Sequence, residues 1–317
     1  MKKILILLPA LILLASCSVR YTGEGAGVNA PVTVEDMRES VTAAFPTASE
    51  TQSASITETL TALVEKTTKL TQTVTATRTD NPKGLSTKKI EHSYGVAKNG
   101  KPHDISVNAQ KYFESTGYKA ICYDTKSTEK VLYLTFDCGW ENGCTGKVLD
   151  TLREKGVPSA FFCTLDHVKS SPDLIRRMID EGHIVGNHSV KHPDFAEITR
   201  ERMKEEILGL DEYMKENFGY SSDFFRFPEG SYNESALELV TSLGKASVFW
   251  SCAYADWDVN NVKGAQYAFD TVTSRLHPGA IILLHSVSPD NADALGDIID
   301  WARENGYVFK SLNDIPW

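Results

Sequence analysis

No GxSxG elbow and no glycine-rich dinucleotide fingerprint occurs in this 317-residue sequence, so neither signature offers a route to its chemistry. Nothing resembles a basic stripe, and the formal net charge is -9, which argues against nucleic acid as a partner. The glycine-rich stretch from Gly23 to Gly27 has no strand before it and reads as a flexible tether, not a phosphate loop. Cysteine is sparse, at six residues. With Cys17 set aside, the remaining Cys122, Cys138, Cys144, Cys163 and Cys252 are odd in number and do not read as a disulfide framework. Cys163 ends the apolar run Ala160-Phe161-Phe162-Cys163 and is most simply a small buried hydrophobe. A pairing of Cys138 with Cys144 has no support in the sequence.

At the N-terminus, Lys2-Lys3 precede an apolar run from Ile4 to Ala15 of about a dozen residues, signal-peptide length and too short to span a bilayer. Leu14-Ala15-Ser16-Cys17 resembles the bacterial lipobox, which implies cleavage before Cys17 and a lipid on its thiol. The expectation is an exported protein, tethered to the outer face of a bacterial cytoplasmic or forespore membrane. Residues 18–85 are rich in Thr, Ser, Ala and Glu, poor in aromatics, and read as a linker. Ile56, Leu60, Leu63 and Val64 have helical spacing within it. Residues 86–129 are expected to form an extension packed on the domain that follows.

From residue 130 the pattern becomes regular. Strand-like runs lie at Val131 to Phe136, Ala160 to Thr164, His183 to Gly186, Phe224 to Phe227, Ala246 to Trp250, Ile281 to Leu284 and Tyr307 to Lys310. Helical stretches separate most of them. One runs from Lys147 to Lys155 with Gly156 as C-cap, one starts at Ser171-Pro172 and ends at Gly182, and one spans Thr199 to Phe218. Strands alternating with helices predict parallel βα units, and roughly seven of them fit a distorted (β/α) barrel over residues 130–317 better than a flat sheet.

Reactive side chains fall at the ends of these strands. Asp137 follows the first, His188 and His192 the third, Arg226 ends the fourth, Asp256 follows the fifth, and His285 closes the sixth. In a βα barrel those ends converge on one face. His188 and His192 form an HxxxH whose imidazoles, on one helical turn, could share a divalent cation. Beside Asp137 they make the minimum of a hydrolytic metal site. His285 is a candidate general acid oriented by Asp256, and Arg226 would keep Asp137 ionised. Trp140 and Trp257 could stack on sugar faces or pack against the rim. His92, His103, His167, His183 and His277 lack such context and are read as structural or exposed. Asn233-Glu234-Ser235 matches a glycosylation sequon, but Asn233 reads as a helix N-cap.

Taken in order, Thr135-Phe136-Asp137-Cys138-Gly139, His188 to His192, Arg226-Phe227-Pro228-Glu229-Gly230-Ser231-Tyr232, Asp256-Trp257 and Leu283-Leu284-His285 resemble the motifs of the polysaccharide deacetylase (NodB-homology, carbohydrate esterase 4) family. The extended first motif, FDCGWENG, resembles the delta-lactam-biosynthetic de-N-acetylase branch. The resemblance implies a divalent metal held by His188 and His192, with Zn²⁺ the expected ion, Asp137 as general base and His285 as general acid. It further implies that Asp256 tunes His285, that Arg226 positions Asp137, and that the backbone N–H of Tyr232 donates to the oxyanion. Most of the family carries a second Asp at position 138. A Cys138 thiolate could replace it as third ligand, giving a Cys/His₂ site, or Cys138 could be a spectator with water in that position; the ligand role is the one expected. The implied reaction is removal of acetate from N-acetylmuramic acid in peptidoglycan after an N-acetylmuramoyl-L-alanine amidase has stripped the peptide, leading to the muramic-δ-lactam of spore cortex. The alternatives are deacetylation of peptidoglycan N-acetylglucosamine or another exported polysaccharide, and a wall-binding lipoprotein without turnover.

Overall fold

Why residues 131–138 form a strand is clear from their chemistry: Val, Leu, Tyr, Leu, Thr and Phe in succession, with no breaker before Gly139. In the computed structural model, which describes residues 83–317 together with Asn81 and the helical residues Ala62 and Lys66, this strand is buried on both faces along its whole length. The signal segment, Cys17, residues Ile56, Leu60, Leu63 and Val64, and nearly all of the 18–85 stretch lie outside the described residues.

The described chain runs β1 (Ile90–Glu91), α1 (Asp104–Thr116), β2 (Ala120–Ile121), β3 (Val131–Cys138), α2 (Cys144–Lys155), β4 (Ser159–Cys163), α3 (Leu165–Ser170), α4 (Pro172–Asp180), β5 (Ile184–Asn187) and α5 (Arg200–Phe218). It continues through β6 (Phe224–Phe225), a 3₁₀ turn (Pro228–Gly230), β7 (Ser231–Tyr232), α6 (Glu234–Ser242), β8 (Ala246–Val248), α7 (Ala265–Thr273), β9 (Ala280–His285), α8 (Pro289–Glu304) and β10 (Val308–Phe309). All seven strand runs expected from the sequence carry a strand, and β2 adds an eighth to the same parallel sheet by pairing with β8.

β3 is the hub. β9 flanks it from Leu132 to Asp137, while β10 takes the N-terminal end of its other edge and β4 the C-terminal end. From β4 the sheet proceeds to β5, β6 and β8. The chain leaving β8 then returns to β9, where Cys252 bridges Ile282 and its carbonyl accepts the Leu283 N–H at 2.9 Å. That contact completes a barrel circuit. Its distortion is local: β5 and β6 share one registered pair, Asn187 with Phe225.

Side chains alternate across each strand, so β3 feeds two cores. Leu132, Leu134, Phe136 and Cys138 pack outward with Leu149, Leu152, Leu295 and Ile298 of the helical layer. Val131 and Tyr133 pack with Ala160, Phe162, Ile281 and Leu283 on the other side. Helix ends follow their sequence signals. Gly156 caps α2 in the left-handed conformation, Pro172 occupies the first turn of α4, and the Thr199 and Asn233 side chains cap α5 and α6. His103 serves the same purpose for α1, accepting the Ile105 N–H.

Candidate active site

The C-terminal ends of β3, β5 and β9 open onto a cavity of about 720 Å³ whose lining includes Asp137, His188, His192, Trp257 and His285. Arg226 and Asp256 stand behind this lining. Arg226 is fully buried and Asp256 is 7% exposed. A buried charge is costly unless paired, so the partners of these groups describe the site.

Arg226 donates from Nη1 to Asp137 Oδ1 at 2.7 Å, from Nη2 to Thr135 Oγ1 at 2.8 Å and from Nε to the Val248 carbonyl at 2.9 Å. Its guanidinium lies 4.1 Å from the Phe162 ring centroid. Gly186 on the neighbouring strand leaves room for that ring; a Cβ there would stand 2.6 Å from it. Burial alone would push the Asp137 carboxyl up, but Arg226, with His188 and His285, outweighs it and holds the group below the ordinary carboxylate range. Asp137 therefore presents Oδ2 to the cavity as an anion.

The loop after β5 brings the two imidazoles together without a helix, contrary to the helical turn expected from the HxxxH spacing. Ser189 (φ 72°) and His192 (φ 55°) are left-handed, a conformation that costs a non-glycine residue about 1 kcal/mol. Asn187 and Ser189 hold it: Asn187 Oδ1 accepts the Ser189 N–H at 2.8 Å, and Ser189 Oγ accepts the His192 N–H at 2.9 Å. Asn187 is itself fixed to the Ile207 carbonyl and Asp211. The His188 and His192 rings meet edge to face with centroids 4.8 Å apart.

His188 Nδ1 bonds the Arg226 carbonyl at 2.9 Å, which leaves Nε2 free toward the cavity, 3.5 Å from Asp137 Oδ2. Burial lowers its pKa to about 4, so the ring is neutral, the form that binds a metal. Two adjacent imidazoles beside an anionic carboxylate fit a divalent cation with open positions for water and substrate.

On the other side, His285 Nδ1 contacts Asp256 Oδ1 at 2.7 Å, and the His285 backbone N–H donates to Asp256 Oδ2 at 2.8 Å. Burial opposes charging of His285, but Asp256 outweighs it and the net shift is upward. Asn291 completes the arrangement from the first turn of α8, donating to Asp256 Oδ2 at 2.5 Å while its Oδ1 accepts from Tyr254 at 2.5 Å. Trp257 packs edge to face on His285 at 5.7 Å, and both Trp257 and Trp140 are exposed at the cavity wall.

Two expected site residues lie elsewhere. Cys138 does not line the cavity. Because strand side chains alternate, its thiol faces the helical layer, opposite Asp137, beside Cys163 and His167. It is therefore not a third ligand with His188 and His192. Tyr232 is also absent from the lining; it is 2% exposed, its backbone is paired with Ile90 of β1, and its ring packs on Phe249 at 4.9 Å. Glu229 of the preceding 3₁₀ turn does line the cavity, with a left-handed φ of 57°. Gly230 beside it (φ 69°) admits no side chain, since a Cβ would stand 2.9 Å from Trp250.

Thr135 and Glu229 fall within the first and third motifs, but nothing in the sequence marks the role of either, and Asn291 carries no signal at all. An Asn after Ser288-Pro289 looks like ordinary first-turn capping. Of the histidines set aside, His92 is buried against the Trp250 carbonyl at 2.7 Å and reaches the cavity wall. His183 accepts the Ser159 N–H, and His277 bonds Ser251.

Residues 124–248 match the model of the polysaccharide deacetylase family. The peptidoglycan-N-acetylmuramic acid deacetylase PdaA of Bacillus subtilis is 46% identical over 194 residues, covering 61% of this chain and 74% of PdaA. The solved structure of that protein, a family 4 carbohydrate esterase, superposes with a TM-score of 0.69 at 40% identity, covering 73% of this chain and 98% of that one. A family 4 carbohydrate esterase from Bacillus anthracis gives a TM-score of 0.59 at 38% identity, with coverage of 73% and 98%. A peptidoglycan-N-acetylglucosamine deacetylase of Bacillus cereus is 32% identical over 187 residues, covering 56% of this chain and 66% of its own. With its strand-end residues gathered on one cavity and these similarities across the barrel, the chain belongs to the polysaccharide deacetylase family.

Proposed function

We propose that this protein is a metal-dependent hydrolase that removes acetate from N-acetylmuramic acid in peptidoglycan. The observation that carries the reading is a register pair: Asp137 and His285 are Cα partners on the parallel strands β3 and β9. An anionic carboxylate and an imidazole whose pKa Asp256 raises thus stand side by side at one cavity floor, each with its own buried partner.

Amide hydrolysis needs both. Asp137 accepts a proton from the attacking water as its oxygen bonds the acetyl carbon. His285 donates a proton to the nitrogen as the C–N bond breaks, because an amine leaves poorly unless protonated. Acetate and a free amine result. A divalent cation held by His188 and His192, for which Zn²⁺ suits the two imidazoles, would supply Lewis acidity toward the carbonyl. Because Glu229 lines the cavity and Tyr232 does not, we assign the oxyanion-donating backbone N–H to Glu229. Trp140 and Trp257 provide apolar faces for the sugar rings.

Muramic acid is the favoured sugar because of the similarity to PdaA, and the FDCGWENG motif supports a later closure of the amine to a δ-lactam. An amidase acting beforehand, export, and a lipid on Cys17 complete this reading, since the substrate lies just outside the membrane. Muropeptide mass analysis after incubation with intact and amidase-treated glycan strands tests it. Loss of acetyl from muramic acid in the treated strands is expected. Loss confined to glucosamine would replace the sugar assignment, and no loss with any divalent metal would leave a wall-binding protein.

A further inference from the structure

Behind the catalytic strand end, on the helical side of β3, lies a group of donors that deacetylation does not use. Cys138 and Cys163 are Cα partners across β3 and β4. His167 enters from the first turn of α3, where its N–H is fixed to the Thr164 hydroxyl at 3.2 Å. Ligand atoms of the three residues lie within 4.8 Å of one another.

All three side chains are 0% exposed, and both thiols are free. His167 is the anomaly. Neither of its ring nitrogens completes a hydrogen bond, although the Trp140 backbone and the Glu141 carboxylate are near the ring. An imidazole buried without partners forfeits the hydration of two polar atoms, a cost of about 1–3 kcal/mol each. Native interiors rarely leave such a cost unanswered. Val148, Phe161 and Val168 of the apolar core surround the rest of the group.

We propose that Cys138, Cys163 and His167 form a second metal site, for one soft d¹⁰ cation, Cu(I) or Zn(II). Two thiolates and an imidazole are soft donors that select such ions over Mg²⁺ or Ca²⁺. A spacing of at most 4.8 Å is close to the reach of one ion with metal–sulfur bonds near 2.3 Å. Binding displaces the two thiol protons and gives His167 the partner it lacks. The site ties β3 to β4 and α3 directly beneath Asp137, and it is independent of the deacetylase reading.

The test uses the full chain, reduced and stripped of metal under anaerobic conditions. A His188→Ala/His192→Ala background silences the cavity histidines. Cu(I) is added in one arm and Co(II), as the spectroscopic surrogate for Zn(II), in the other. One equivalent bound with a thiolate-to-metal charge-transfer band is expected in one arm, and that arm identifies the ion. Cys163→Ser should abolish the band, and His167→Gln should weaken binding at least about tenfold. The second variant leaves both thiols in place should the first fail to fold. No charge-transfer band in either arm, or a band unchanged by both substitutions, would overturn the proposal.

Discussion

On the barrel side of β3, Asp137 meets Arg226 at 2.7 Å, and the arginine in turn reaches Thr135 and the Val248 carbonyl. On the helical side, one residue later, Cys138 meets Cys163 and His167, and neither imidazole nitrogen has a well-formed hydrogen bond. The two environments share a strand end, near-complete burial and a mixture of titratable groups. They differ in satisfaction: the first has a close partner for each charge, and the second leaves its imidazole without a well-formed one. Period-two alternation creates this difference, because it sends neighbouring residues into separate compartments.

The comparison can be broken from the barrel side first. Arg226→Met should leave the Asp137 carboxylate buried without its cation and destabilise the fold by about 3–5 kcal/mol. A urea titration reads this as a lowered midpoint, and an unchanged midpoint would mean that the pairing is not structural. Asp256→Asn should reduce turnover roughly a hundredfold. It should also move the basic limb of kcat/KM to lower pH. The sign follows from the opposing influences on His285: Asp256 raises its pKa against burial, so without the carboxylate burial remains and the proton is lost earlier. A pH profile with its limb unmoved would separate Asp256 from the acid.

Smaller effects sharpen the contrast. Asn291→Ala removes one donor from Asp256 and should cost about 1.5 kcal/mol of transition-state stabilisation, roughly tenfold in kcat, with KM held. An equal change in KM would point to substrate contact instead. On the helical side, Ile175→Val, in the fully buried part of α4, should lower stability by about 0.5–1.5 kcal/mol and leave turnover unchanged within about twofold. A large loss of activity there would show that the outer layer governs the site.

The barrel was legible because β-branched and aromatic runs alternate with capped amphipathic helices, each signal local to its element. Asp137, His188, His192, Arg226, Asp256 and His285 were legible from their regular place at strand ends. Three features were not. The outward face of Cys138 depends on which way the strand's alternation is phased, and a continuously apolar strand hides its phase. The appearance of Glu229 rather than Tyr232 in the cavity lining depends on a left-handed residue within a 3₁₀ turn. The contact of Asn291 with Asp256 spans 35 residues, and no short-range pattern encodes it.

The most direct test of the central claim, that Asp137 serves as the base at the floor of this cavity, is acetate release by Asp137→Asn on amidase-treated glycan strands. Wild-type turnover should fall at least about a hundredfold in the variant, with its circular dichroism unchanged. Acetate release at the wild-type rate would contradict the account.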